Sequence, residues 1–223
     1  MIDWSQIETV FFDMDGTLLD LHFDNYFWLE HLPKRYTELK QVPHEVTLKK
    51  LHEMFERLHG SLNWYCLDFW SDELGLDIVE LKREVSDRIA YRPHVKQFLN
   101  ALHKMGLELA ILTNAHRGSI NLKLEQTDLG HFFDEIISSH DYQAPKEEAL
   151  FWDSLYKARP FDRNKTIFFD DNESVLESAR AFGIEHVYSI AQPDSKKVVR
   201  PQEKFPMVYD FLDLLPSEVR LND

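Results

Sequence analysis

Four short apolar runs in this sequence end in residues that could do chemistry together. Thr9–Asp13 (TVFFD) runs into Met14-Asp15-Gly16-Thr17, Glu108–Thr113 (ELAILT) into Asn114, and Thr166–Asp170 (TIFFD) into Asp171, while the segment after Glu135–Ser138 carries Pro145-Lys146. Two acidic pairs, a hydroxyl–amide pair and one cation form the inventory of a magnesium–phosphate site. Two carboxylates 4 Å apart repel by about 4 kcal/mol at an effective dielectric of about 20. A hard divalent cation relieves that repulsion, and an all-oxygen set selects magnesium over zinc. A phosphate on the metal then needs donors on its other side. Lys146 offers charge, Thr113 a hydroxyl, Asn114 an amide, and the helix after the second strand its opening backbone N–H groups. A carboxylate is a competent phosphoryl acceptor, giving an aspartyl-phosphate. A second carboxylate two residues on can protonate the leaving oxygen and then deprotonate water. Singly, each feature is ordinary: Asp-x-Asp is common, and Asp170-Asp171 could cap the helix at Glu173. Their joint placement at strand ends points to one site.

Those strand ends need a scaffold. Thr9–Asp13, Glu108–Thr113, Glu135–Ser138, Thr166–Asp170 and His186–Ile190 read as buried strands. Helices are predicted over Pro93–Lys104, Ser119–Gln126, Lys146–Ala158 and Glu173–Phe182, with Gly106 and Gly183 as C-caps of the first and last. Alternating strands and helices imply an α/β fold, a parallel sheet with helices on both faces. Ligands of such sheets bind beyond the C-terminal strand ends. From about Phe23 to Arg88 the alternation is broken by an almost wholly helical stretch, with Val46, Leu48, Leu51, Met54, Phe55 and Leu58 at helical spacing. The expected division is therefore a core of residues 1–20 and 89–223 and an inserted all-helical cap of residues 21–88. The end of the chain reads as a polar tail with a short helix near Tyr209–Leu215.

Charge narrows the partners. With 25 Lys and Arg against 39 Asp and Glu among 223 residues, the formal charge is −14, which argues against a nucleic-acid polymer and against anionic membranes. One cysteine, Cys66, excludes an intrachain disulfide and suits a reducing compartment. The opening MIDWSQIETV has no basic region or long apolar run, so no signal peptide and a cytoplasmic location are expected. Seven scattered glycines exclude a glycine-rich dinucleotide loop, a P-loop and a nucleophile elbow.

The motifs carry a resemblance. FFDMDGTLLD is similar to the first motif of the haloacid dehalogenase-like hydrolase superfamily, ILTN to its second, Lys146 to its third and FFDD to its fourth, over nearly the whole chain. The third motif often reads Lys-Pro, where this chain has Pro145-Lys146-Glu147. The resemblance implies a Rossmann-like core with a helical cap, Asp13 as nucleophile and Asp15 as general acid/base. It implies magnesium held by the Asp13 side chain, the Asp15 carbonyl and Asp171, with Asp170 a ligand or close partner, and Thr113 and Lys146 on the phosphoryl group. FDNYFW (Phe23–Trp28), LNWYCLDFW (Leu62–Trp70) and TNAH (Thr113–His116) resemble the bacterial GMP/IMP nucleotidases, a branch of that superfamily. That implies hydrolysis of purine nucleoside 5′-monophosphates.

Tyr26, Phe27, Trp28, Trp64, Tyr65, Phe69 and Trp70 could stack on a base, though aromatics at helical spacing are more often core. Asn25 and Asn63 could read a purine edge or cap helices, and His116 and Arg117 could contact phosphate or cap. The histidines lack zinc-site spacing, and Cys66 reads as a buried, inert thiol. Competing readings are a phosphatase or phosphomutase for another small phosphorylated metabolite, a dehalogenase, a receiver-type signalling module and a catalytically silent binding protein.

Overall fold

Val10, Phe11 and Phe12 have no solvent exposure because they lie at the centre of a sheet of six parallel strands. These are β1 (Thr9–Phe12), β2 (Glu108–Thr113), β3 (Glu135–Ser138), β4 (Thr166–Asp170), β5 (His186–Ile190) and β6 (Met207–Val208), in the order β3-β2-β1-β4-β5-β6. The computed structural model describes residues 2–201 and 204–216. In register, Phe12 faces Ile111 of β2 and Phe169 of β4. Strand order reverses on either side of β1, so the crevice between β1 and β4 is the topological switch point of the sheet.

Side chains alternate across β1. Val10 and Phe12 join one core with Phe98, Leu99 and Leu102 of α7 (Val95–Lys104) and Ile120 of α8 (Arg117–Gln126). Phe11 points the other way, into a core with Phe151, Trp152 and Leu155 of α9 (Ala149–Ala158) and Val175, Leu176 and Ala179 of α10 (Glu173–Phe182). The two-residue side-chain period of a strand thus supplies both faces.

The stretch between β1 and β2 folds into α1 (His22–Tyr26), a π-helical turn (Phe27–His31), α2 (Leu32–Lys40), α3 (His44–Leu58), α4 (Leu62–Tyr65), α5 (Leu67–Leu74) and α6 (Ile78–Arg83). These helices gather a third apolar cluster around Phe27, Leu51, Met54, Trp70 and Ile78, which also takes in Leu122 of α8. The chain leaves and re-enters the sheet side by side: Asp20 N–H donates to Ala90 O at 2.9 Å and Arg92 N–H to Leu18 O at 3.0 Å. No helix among the described residues is long and apolar enough to cross a membrane.

Three expectations are corrected. The tail is not simply polar: Phe205, Val208, Phe211 and Leu215 are buried, β6 extends the sheet, and the predicted helix is a 3-10 turn at Phe211–Leu214. The expected helix at Lys146 begins at Ala149, leaving Lys146 in a tight turn whose N–H reaches the Asn114 side chain at 2.9 Å. The cap of α10 is neither Asp170 nor Asp171 but Asn172, whose side chain accepts from Ser174 N–H. That leaves both acids for other work.

Candidate active site

Parallel strands bring their C-terminal ends to one edge, and there β1, β2 and β4 deliver the expected residues together. A cavity of about 500 Å³ between the sheet edge and the inserted helices is lined by Asp13, Asp15, Thr113, Asn114, Lys146 and Asp171. Asp170 lies just beneath, 1% exposed. One oxygen from each of Asp13, Asp170 and Asp171 falls within 4.8 Å of the others. The turn after β1 permits this approach. Gly16 has φ +90°, and a Cβ there would lie 2.7 Å from Asp171 Oδ2, so any other residue would be strained and would push that carboxylate away.

Lys146 Nζ sits 2.6 Å from Asp13 Oδ1 and 2.6 Å from Asp170 Oδ2, and also donates to Leu112 O. Lys146, together with Arg200 3.4 Å from Asp171, sets two cations against three carboxylates, which still leaves an excess of negative charge. Burial pushes the Asp13 carboxyl up to about 7, assisted by Asp170 and opposed by Lys146. Burial, then Asp13, drives Asp171 up to about 7. Asp170 rises to about 6 through burial and Asp171, against the pull of Lys146. Burial alone would lower the Lys146 ammonium, but Asp13 and Asp170 outweigh it and hold it above its ordinary range. Three crowded carboxylates with only oxygen to offer suit a hard divalent cation.

Thr113 is buried, and its hydroxyl accepts from Ala115 N–H at 3.0 Å. Both ends of the Asn114 amide hold the neighbouring turn: Oδ1 accepts from Lys146 N–H and Nδ2 donates to Glu147 Oε2 at 2.9 Å. Asp15 opens into the same cavity with its carboxylate paired to Lys123, Nζ to Oδ1 at 2.6 Å. Burial raises that carboxyl above its ordinary range, more than Lys123 lowers it, which favours its protonated form.

The cavity roof sorts the remaining candidates. Trp28, Trp64 and Tyr65 line it, whereas Phe27 and Trp70 are buried core. Asn25 lines it but donates to Asp194 at 2.7 Å, and Asn63 is exposed outside it. His116 lines it, 3.6 Å from Asp68 of α5, so it contacts the inserted helices. Arg117 turns outward to Asp141. Cys66 is only half-buried, and its Sγ accepts from Phe69 N–H at 3.5 Å.

Sequence reasoning missed Asp24, Lys82, Lys123, Glu147 and Arg200. Asp24, Lys82 and Arg200 line the cavity, and Arg200 Nη2 is 3.4 Å from Asp171 Oδ2. Glu147 accepts from Tyr65 OH at 2.8 Å as well as from Asn114, so it joins roof and floor. A signal existed for Lys82. It falls on the buried face of α6 with Ile78 and Leu81, at the spacing of a core residue.

Comparison with known proteins finds relatives over nearly the whole chain. Residues 10–188 match the haloacid dehalogenase-like hydrolase family. The chain is 37% identical over 216 residues to the GMP/IMP nucleotidase YrfG of Escherichia coli K12, covering 97% of each chain. It is 26% identical over 193 residues to a phosphorylated carbohydrates phosphatase of Thermotoga maritima, covering 82% of this chain and 85% of that one. The crystal structure of a HAD phosphatase from Thermococcus onnurineus superposes with a TM-score of 0.77 at 19% identity, over 93% of this chain and 96% of that chain.

Proposed function

Because the chain belongs to the haloacid dehalogenase-like hydrolases, as a hydrolytic phosphatase, we propose that it removes phosphate from purine nucleoside 5′-monophosphates through an aspartyl-phosphate on Asp13. The observation that carries the chemistry is the convergence of Asp13, Asp170 and Asp171 within 4.8 Å, with Lys146 on two of them and Asp15 opening into the same cavity. The Asp13 carboxylate attacks phosphorus as the P–O ester bond breaks. Asp15, as a carboxylic acid, gives its proton to the departing oxygen, releasing the alcohol. Water then attacks the aspartyl-phosphate and yields a proton to the Asp15 carboxylate, which restores both aspartates and releases inorganic phosphate.

Lys146 and the Thr113 hydroxyl stand on the phosphoryl side, and Asn114 holds the turn that aims Lys146. The Asp13 side chain, the Asp15 carbonyl and Asp171 would hold magnesium, with Asp170 beside them. When bound, the ion would offset the crowded negative charge and polarise the phosphoryl oxygens. Residues 21–88 act as the cap over a core of residues 1–20 and 89–223, and their closure excludes water.

Protons and magnesium compete for these carboxylates. Their folded-state values lie above the ordinary 3.8, at about 6 to 7. Their contribution to stability is therefore complete below about 3.8 and lost as pH rises through 6 to 7. Saturating magnesium is expected to raise Tm by about 5 °C or more at about pH 8 and far less at about pH 5. EDTA is expected to stop turnover and magnesium to restore it. A Tm gain independent of pH, or a rate indifferent to chelation, would defeat the metal assignment.

The purine reading is supported by the extent of the likeness to a GMP/IMP nucleotidase and by Trp28, Trp64 and Tyr65 on the cavity wall, since aromatic faces contribute about 1–3 kcal/mol per stacked base. Across GMP, IMP, pyrimidine nucleotides and sugar phosphates, kcat/KM is expected to be highest for GMP and IMP, by about 10-fold or more. A flat profile, or a sugar phosphate in first place, would overturn the substrate class and leave the phosphatase intact.

A further inference from the structure

Beyond the carboxylate triad, four charges alternate in a line whose two cations are buried. Asp15 Oδ1 lies 2.6 Å from Lys123 Nζ, Lys123 Nζ 2.8 Å from Asp24 Oδ2, and Asp24 Oδ1 2.6 Å from Lys82 Nζ. Asp15 lies in the turn after β1 and Lys123 on α8, while Asp24 and Lys82 lie on the inserted helices α1 and α6. Both lysines are 1% exposed. Their ammonium groups face rings: Lys123 lies 5.5 Å from the centre of Phe23, and Lys82 lies 4.8 Å from Phe27 and 5.5 Å from Trp28.

Stability is a weak reason for such a line, because well-packed apolar residues of similar volume often serve as well or better. Solubility is no reason at all for buried cations. Orientation is a reason. A short aspartate side chain at the mouth of a cavity has several rotamers, and an acid must lie within about 3 Å of the oxygen it protonates. A cation fixed from behind by a second carboxylate takes one Asp15 oxygen and leaves the other for the substrate. The second carboxylate comes from the inserted segment, so the line is whole only when that segment is seated.

We infer that Lys123 is a positioning residue, which, braced by Asp24 across the boundary between sheet and inserted helices, aims the Asp15 carboxyl at the leaving oxygen. The inference rests on the acid/base role proposed for Asp15. It predicts an effect graded by leaving group. A nucleoside 5′-oxygen needs a proton to depart, whereas p-nitrophenolate departs without one.

The experiment compares kcat/KM on IMP, ribose 5-phosphate and p-nitrophenyl phosphate, because kcat/KM reports events up to formation of the aspartyl-phosphate. The variants are Asp15→Asn, Lys123→Met and the double variant Lys123→Met/Asp24→Asn. Lys123→Met alone leaves the line with one uncompensated negative charge, whereas the double variant keeps it neutral and the amide at position 24 can still accept from Lys82. Circular dichroism and Tm check the fold. The double variant is expected to lose about 10²-fold on IMP and ribose 5-phosphate and less than about 3-fold on p-nitrophenyl phosphate. Equal losses on all three, or no loss on the sugar-linked substrates, would overturn the inference. If Asp15→Asn shows the split and the double variant does not, the inference alone fails. If Asp15→Asn shows no split, the acid/base reading falls and the inference with it. A wild type inactive on IMP but active on ribose 5-phosphate would remove only the nucleotide reading.

Discussion

Asp13→Asn is expected to cut turnover by on the order of 10⁴-fold or more and to leave the fold intact. The replacement is nearly isosteric at a position 6% exposed, and the main-chain bond from Asp13 N–H to Phe169 O at 2.8 Å is untouched. An amide oxygen can still accept from Lys146, which stands 2.6 Å from Oδ1. An amide cannot, however, accept a phosphoryl group and release it again to water on the catalytic timescale. Electrostatics favour the variant as a folded protein. One of three crowded carboxylates is gone, so metal-free Asp13→Asn should melt no lower than wild type. Acid quenching during turnover should trap phosphate on the wild-type chain and none on the variant. A variant that still turned over would place the nucleophile elsewhere.

Lys146→Met should be the most destabilising single change at the site. The methionine has room for its chain but no charge, and it leaves Asp13 and Asp170 facing each other without their shared cation. Removing one partner of a buried ion pair costs about 3–5 kcal/mol, which for a chain of this size is a fall in Tm of about 10 °C. The loss has a definite pH dependence. Asp13 and Asp170 already hold protons up to about 7 and about 6, and without Lys146 they would hold them further. Protonated carboxyls do not repel, so the Tm gap should be wide at about pH 8 and narrow at about pH 5. Magnesium should close part of it. On the phosphoryl-binding role proposed for Lys146, activity should fall about 10³-fold, as for the loss of a donor to developing phosphoryl charge. A variant as stable and as active as wild type would refute both the structural and the chemical role.

Much of this could be read from the chain because strand ends advertise themselves. TVFFD and TIFFD are apolar runs that stop at acids, and a parallel sheet can only bring such ends to one edge. Five strands and the converging acids followed from that. β6 did not, because two residues, Met207 and Val208, make no run and owe their conformation to the neighbouring β5. The start of α9 slipped because Lys146 and Glu147 have good helical propensity, while the bonds from Asn114 to the 146–147 turn hold it out of the helix. Glu147 was visible only as a departure from the family's Lys-Pro pattern. Its meaning, a carboxylate shared by Tyr65 and Asn114, depends on two distant residues meeting. Lys123 was silent for the same reason, and the core spacing of Lys82 said that it is buried but not which carboxylate it meets.

The strand order has a consequence for how the protein comes into being. β1 is made first, yet its two neighbours begin at Glu108 and Thr166. Until both have left the ribosome, Val10–Phe12 has no sheet to join, and the acids that follow have no partner carboxylates to crowd. The helices of residues 22–83 meet one another much sooner, since nearly all of their apolar cluster is local in sequence. Non-local pairing of this kind slows folding. The nascent chain therefore carries Asp13 as an ordinary aspartate on an unpaired strand through most of synthesis. The cluster of Asp13, Asp170 and Asp171 can be complete only once β4 pairs with the second edge of β1.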